Sequence, residues 1–215
     1  KTMKDDLIKE IKKNSKISIA SACFSIYAYQ ELKKQLDNIE QLRFIFTSPT
    51  FIKEKVEKEK REFYIPRLSR EKSLYGTEFE VKLRNELTQK SIAKECAEWI
   101  KEKVIFKSNT TNENMAGFMN IENKDKKITY MPIQGFTTVD IGCERGNNFY
   151  NMINKIDAPY SEAYLTLFEN IWQDKDKLQD VTDIVIDSIS NAYKENPPEL
   201  IYFITLYNVF SEFLE

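Results

Sequence analysis

Glu122-Asn-Lys124 sets a carboxylate and an ammonium two residues apart beside a hairpin pattern. In metal-dependent nucleases this acid-x-Lys spacing holds Mg²⁺ on the carboxylate while the lysine assists the attacking water. Such a site needs a second acid from a neighbouring strand, and Glu113 is the nearby candidate. The same residues also read as a charged, solvated hairpin turn. Asp174, Asp176 and Asp180 suggest a calcium loop, but its glycine and closing glutamate are absent, so they read as helix-capping or solvated acids. Cys143 stands in a glycine-rich loop with no imidazole to activate it and reads as a buried or incidental thiol. There is neither a P-loop nor a GxGxxG turn.

One omission governs these possibilities: the 215 residues contain no histidine. Imidazole is the usual general base and metal ligand near neutral pH. Ser-His-Asp, Cys-His and histidine–metal chemistries are therefore excluded, leaving carboxylate, Lys, Cys or Tyr chemistry. The three cysteines, Cys23, Cys96 and Cys143, are widely spaced and form no CxxC pair, which fits reduced thiols in a cytoplasm. A formal net charge of −2 argues against a wholly basic binder. The first sixteen residues are charged and helical in period, unlike a signal peptide. The longest apolar run lies near residue 215 and is too short and polar to span a bilayer. A cytoplasmic protein with no membrane partner is expected.

The elements that must position any site surround Ile128 to Tyr150. This stretch holds Gly135, Gly142 and Gly146, three of the five glycines. A strand pattern (Ile128, Tyr130, Ile133) runs in, and a helical pattern (Phe149, Met152, Ile153, Ile156) runs out. A polar glycine-rich loop between strand and helix is where backbone N–H groups can face an anion. Two tight turns in an α/β domain account for the same glycines.

Upstream, Leu7, Ile8 and Ile11 mark a short amphipathic helix over 4–13, ended by Asn14. Ile17 to Phe24 reads as a buried strand, Tyr27, Ala28, Leu32 and Leu36 as a helix, and Gln41 to Phe46 as a second strand. Strand, helix and strand make a βαβ unit, hence α/β class with a right-handed crossover. Thr47-Ser-Pro-Thr50 then lies beyond a strand's carboxyl end, the usual ligand position in such sheets. Glu78 to Lys103 is helical, with Ile92, Cys96, Trp99 and Ile100 as its buried stripe. Val104 to Lys107 is a third strand, and 117–121 with 128–133 is a hairpin around Asn123 to Lys127.

Between these elements, Lys53 to Lys72 carries eight cations against five glutamates, with Phe63 and Tyr64 interleaved and Tyr75 just beyond. Arg61, Arg67 and Arg70 are candidates for nucleic-acid phosphate contacts, with the aromatics available for stacking. A solvated helix laced with i,i+4 ion pairs accounts for the same composition. After Asp157 the character changes. Tyr164, Leu165, Phe168, Ile171 and Trp172 share one helical face, and Leu178, Val181, Ile184, Val185 and Ile189 share another. Pro197-Pro198 open a third helix, apolar on most sides. From Asp157 to Ser190 eight acids face two lysines, a poor nucleic-acid surface. The apolar final helix and the non-methionine start lead us to expect a piece of a longer protein.

Ile17-Ser-Ile-Ala-Ser-Ala-Cys-Phe24, the charged insertion, the hairpin and Gln134-Gly-Phe-Thr-Thr-Val-Asp-Ile-Gly142 together resemble the phospholipase-D-like domain. More narrowly they resemble its version at the N-terminus of bacterial superfamily II helicases, through Gly142-Cys-Glu-Arg-Gly-Asn-Asn-Phe-Tyr-Asn-Met-Ile153 and Asn196-Pro-Pro-Glu-Leu-Ile-Tyr-Phe-Ile-Thr-Leu-Tyr207. The resemblance spans nearly the whole chain. The family signature is His-x-Lys-x4-Asp followed by a small-residue phosphate loop. Its best register here puts Met115 at the histidine, Gly117 at the lysine and Glu122 at the acid, with Gln134-Gly135-Phe136-Thr137 at the loop. The nucleophile and its cation are missing, which removes phosphodiesterase chemistry and leaves a phosphate-binding shell. The resemblance offers Lys107, Thr137, Thr138, Arg145, Asn147 and Asn148 for that shell.

The expected fold is α/β: a single degenerate phospholipase-D-like lobe over 1–158, with a mixed sheet flanked by helices, then an all-helical linker over 159–215. The expected function is a noncatalytic accessory domain of an ATP-dependent DNA helicase. No catalytic residue and no metal site are expected within the chain, and ATP and Mg²⁺ would serve only a motor domain beyond it. The expected partners are DNA, the rest of the helicase chain and a second copy. Two alternatives stand beside this reading: a protein-interaction or dimerisation module, and an Mg²⁺-dependent nuclease using Glu122 and Lys124.

Overall fold

Every residue of β1 (Lys16–Ser21) after Lys16 is buried, because the strand has a neighbour on each side. β2 (Gln41–Phe46) pairs with it in parallel, and β4 (Phe118–Glu122) pairs with it antiparallel. The computed structural model describes residues 2–49, 88–111, 113–143 and 152–193. Among these, β3 (Val104–Asn109) extends the parallel set beyond β2, and β5 (Lys127–Met131) forms the expected hairpin with β4. β6 (Asn154–Asp157) and β7 (Leu178–Asp180) complete a seven-stranded mixed sheet in the order β6-β5-β4-β1-β2-β3-β7. The class is α/β, as expected.

Alternation along the strands assigns the helices to faces. Ile17, Ile19, Phe44, Phe46, Phe106, Ile121 and Ile128 point to one side, into the larger core. There they meet α1 (Met3–Glu10), α2 (Ile26–Glu31), α3 (Lys33–Leu36), α4 (Thr88–Lys103) and α6 (Thr182–Tyr193) through Leu7, Tyr29, Leu36, Ile100 and Val185. Ala20, Ile45 and Phe118 point to the other side, under α5 (Ser161–Gln173), where Phe168 is buried. The centre of this second face is small and polar. Asn120 accepts a hydrogen bond from Thr129 Oγ1 (2.8 Å) and donates to the Tyr164 carbonyl of α5 (3.1 Å).

The structure departs from the sequence reading in five places. The first strand ends at Ser21, not Phe24, and the helix read through Tyr27 to Leu36 is divided into α2 and α3 at Leu32. α1 stops at Glu10, not Lys13, and Asn14 adopts a left-handed φ of 62° that swings the chain into β1. The helix expected to run through Met152, Ile153 and Ile156 is absent among the described residues there. Met152 and Ile153 are irregular, and residues 154–157 form β6 on the open edge of β5. Backbone pairing to an available edge outweighs a short apolar spacing. The stretch from residue 159, expected to be all helical, also contains a strand. Leu178–Asp180 pairs antiparallel with Lys107–Asn109, so this region contributes directly to the sheet.

Candidate functional site

In open α/β sheets ligands bind outside the carboxyl ends of the parallel strands. Here that edge is built from the loops after β1, β2, β3 and β5. Two of these loops are sewn together by backbone hydrogen bonds. Ala22 N–H donates to Gln134 O (2.9 Å), Phe136 N–H to Cys23 O (2.8 Å) and Ser25 N–H to Phe136 O (3.0 Å). Ser25 also caps α2, its Oγ accepting from Tyr27 and Ala28 N–H. Phe24 and Phe136 stack with centroids 5.8 Å apart, and Phe24 meets Phe106 edge-on at 5.2 Å. A phosphate loop would have to run where Phe136 enters the aromatic core.

Asn109 clips the neighbouring loops. It is fully buried. Its Nδ2 donates to the carbonyls of Thr47 and Glu113, each at 3.0 Å. Its Oδ1 accepts from Thr111 N–H and Thr111 Oγ1, each at 2.9 Å. All the hydrogen-bonding capacity of one amide is spent on fixing loop geometry.

Two of the positions that the resemblance sets against the diesterase signature, Met115 and Gly117, are closed by packing. Met115 is half-buried against the core beneath α5. Gly117 N–Cα–C lies against the backbone of Ile133, whose N–H donates to Gly117 O at 2.9 Å. A Cβ on residue 117 would collide with the Ile133 carbonyl oxygen and lie 3.3 Å from Ala20 O. A lysine is therefore sterically barred from this position.

Thr137 and Thr138, offered for the phosphate shell, are each 2% exposed. Thr137 Oγ1 donates to Asp140 Oδ2 (2.6 Å) and accepts from Asp140 N–H (3.1 Å), so it serves the turn that follows. Lys107 lies on the opposite face of the sheet from this loop, as alternation from Phe106 requires. Its Nζ donates to Trp172 O (2.7 Å) at the end of α5 and stands 4.4 Å from the Trp172 ring centroid. The structure does not bring Lys107 to Thr137 or Thr138. Arg145, Asn147, Asn148, Arg61, Arg67 and Arg70 lie outside the described residues.

The residues of the nuclease alternative are also separated. Glu122 pairs in register with Lys16 at the amino end of β1. Glu113 follows β3 at its carboxyl end and salt-bridges Lys177 at 2.7 Å. The two acids thus stand at opposite ends of the sheet. Asp174 and Asp180 act as backbone acceptors, Asp174 Oδ1 for Asp176 and Lys177 N–H and Asp180 Oδ1 for Thr182 N–H at the start of α6. Cys143 is half-buried between Lys4 and Glu31. Burial, reinforced by Glu31, pushes its thiol up to about 11, so it is protonated at neutral pH and a poor nucleophile.

Two charge constellations were not anticipated. Tyr130 donates to Asp6 Oδ2 (2.8 Å), and Lys155 Nζ bridges Asp6 (2.9 Å) and Glu10 (2.7 Å). Lys126 reaches Glu10 from the hairpin turn at 3.1 Å. The Lys155 hydrogen bond, partly offset by burial and aided by Lys126, holds the Glu10 carboxyl below the usual glutamate range. Across the sheet, Arg43 pairs with Glu169 at 2.7 Å while its guanidinium lies 5.2 Å and 5.3 Å from the Phe168 and Trp172 centroids. Asp6 and Glu10 flank the apolar Leu7 and Ile11 at helical spacing, a signal that these acids border a buried face. No comparable signal marks Arg43.

No protein-family model matches the chain, and no curated protein matches it in sequence.

Proposed function

We propose that this chain is a noncatalytic DNA-binding domain, the accessory part of an ATP-dependent helicase whose motor uses ATP and Mg²⁺ outside residues 1–215. The closed signature position supports the noncatalytic part of the reading; the DNA-binding part rests on the resemblance and on the basic, aromatic composition of residues 53–75. Gly117, at the lysine of the diesterase pattern, has a backbone carbonyl where a side chain would begin, and Met115, at the histidine, is a packing residue. A scaffold of this kind holds its strands and loops but presents no nucleophile there.

The test is a salt titration of binding to duplex and single-stranded DNA. The expected result is affinity that falls steeply as salt rises, since phosphate contacts release counterions. Replacing Arg61, Arg67 and Arg70 together is expected to weaken binding. Absence of affinity at low salt, or hydrolysis of a phosphodiester by the chain itself, overturns the reading.

Self-association is a second reading, favoured by one observation. Tyr160, the residue capping the start of α5, and Leu167 within it are 77% and 44% exposed, large apolar groups suited to an interface. Light scattering at high concentration tests it, and a strict monomer overturns it.

A further inference from the structure

We propose that Asn109 is a positioning residue for DNA binding: it pins the stem from which the basic, aromatic residues 53–75 leave the sheet. The inference rests on the DNA-binding reading above and names the residue that aims it.

Residues 50–87 lie outside the described residues, but the points where the chain leaves and re-enters the fold are both described. The outgoing stem, Thr47 to Pro49, follows β2 at its carboxyl end. The incoming stem is the start of α4, and three contacts give its direction. Glu95 stands 3.8 Å from Lys33, Trp99 Nε1 donates to Leu36 O (3.1 Å), and Lys103 Nζ donates to Ile39 O (2.8 Å). α4 therefore runs alongside α2 and α3, from the carboxyl edge of the sheet toward its amino edge. Thr88 opens it on the same side as Pro49. That side is where ligands meet open α/β sheets.

The outgoing stem is held by its backbone. Thr47 N–H continues the β1 ladder, donating to Ser21 O at 3.0 Å. Thr47 O accepts from Asn109 Nδ2, also at 3.0 Å, at the carboxyl end of β3. Ser108 Oγ adds a longer contact to Ser48 O (3.5 Å), and Pro49 follows, exposed.

The same amide reaches a second anchor. Its remaining bonds go to Glu113 O and to Thr111. That loop is tied in turn to the approach to β7. Thr110 N–H donates to Lys177 O (2.8 Å), and Glu113 pairs with Lys177 (2.7 Å). The stem is thereby fixed against the β7 edge as well as against β1.

A fully satisfied buried polar network selects one arrangement of its members. Filling the space under the stem asks only for volume, which a hydrocarbon supplies. A fixed exit direction asks for a directional bond to a carbonyl, which an amide supplies. Asn109 is fully buried, so it acts through the stem and not by contact. A fixed exit lowers the ordering cost that residues 53–75 meet when they engage phosphates.

The test compares Asn109→Ala with Asn120→Ala in the 215-residue chain. Asn120 is also a buried asparagine of this sheet, but its amide serves Thr129 and the Tyr164 carbonyl of α5. Binding to a duplex of mixed sequence is measured against salt, at a temperature where circular dichroism shows each variant folded. Asn109→Ala is expected to bind about tenfold more weakly, the scale of an added ordering cost. Its slope of log K against log salt is expected to stay that of the wild type, since the same phosphate contacts form. Asn120→Ala is expected to keep wild-type affinity. Should Asn109→Ala not fold, Asn109→Ser takes its place, with a side chain too short to bridge to Thr47 O. Absence of binding by the wild-type chain overturns the DNA-binding reading and this inference with it. Wild-type affinity in the folded Asn109 variant, or an equal loss in both variants, overturns this inference alone.

Discussion

The carbonyl oxygen of Ile133 occupies the space in which a side chain on residue 117 would begin, and the Ile133 N–H is bonded to the Gly117 carbonyl at 2.9 Å. The two backbones touch because residue 117 is glycine. Gly117→Lys is expected to destabilise the fold by about 3 kcal/mol or more, since overpacking against backbone cannot be relieved by a rotamer change. The variant is also expected to hydrolyse no phosphodiester. Urea unfolding checks the first part, and stability within about 0.5 kcal/mol of wild type sinks the steric argument.

Asn109 makes four hydrogen bonds from full burial. Asn109→Leu keeps the branched shape of the side chain but strands two carbonyls, an N–H and a hydroxyl. The expected loss is about 2–4 kcal/mol, the cost of buried polar groups left unmatched. Amide exchange at Thr111 offers a local readout and is expected to speed up in the variant.

Stability should fall in acid through the Asp6–Glu10–Lys155–Lys126 network. The folded-state Glu10 carboxyl is held below the usual glutamate value of 4.5. A depressed acid stabilises the fold fully above that value and loses the contribution as pH falls through the folded pKa. Lys155→Met removes the largest cause of the depression. We expect a loss of about 1–3 kcal/mol at neutral pH, between the surface and buried limits for ion pairs because Lys155 is partly exposed. The stability profile below pH 4.5 is expected to flatten. An equally steep profile in the variant counts against the network.

The Cys143 thiol is raised to about 11 by burial and by Glu31. Its alkylation is expected to be slow at pH 7 and to accelerate through pH 9 and above. Glu31→Gln is expected to move the profile to lower pH. An inflection near pH 7 in the wild type would show a reactive thiol.

Lys107 donates to the Trp172 carbonyl at the end of α5, where a cation also meets the negative end of the helix dipole. Lys107→Met is expected to cost about 1 kcal/mol in stability and to leave DNA affinity and its salt slope unchanged. A reduced slope would return Lys107 to the phosphate contacts.

Much of the fold was legible because its strands carry strong local patterns. Ile17 to Phe24 read as a buried strand, which the structure ends at Ser21, and Asn123 to Lys127 read as a turn between Ile121 and Ile128. β6 was not legible. Ile153 and Ile156 satisfy helical spacing, and only the open edge of β5 decides the matter. The misplacement of Lys107 was avoidable, since a strand that buries Phe106 on one side must send residue 107 to the other. The closure at Gly117 was beyond local pattern, because Ile133 approaches from across a hairpin. The Asp6–Tyr130 bond joins residues 124 positions apart, a separation no motif encodes.

The borders of the sheet bear on how any other molecule can approach. β7 contributes three residues and β6 four, with Lys155 of β6 drawn toward α1. So few rungs give an incoming extended peptide little backbone to zip onto, and an inward-drawn charge blunts the border further. Whatever meets this domain through its described residues is therefore expected to arrive over helices or turn tips, and the two described edges offer little ladder for stacking with its own copies.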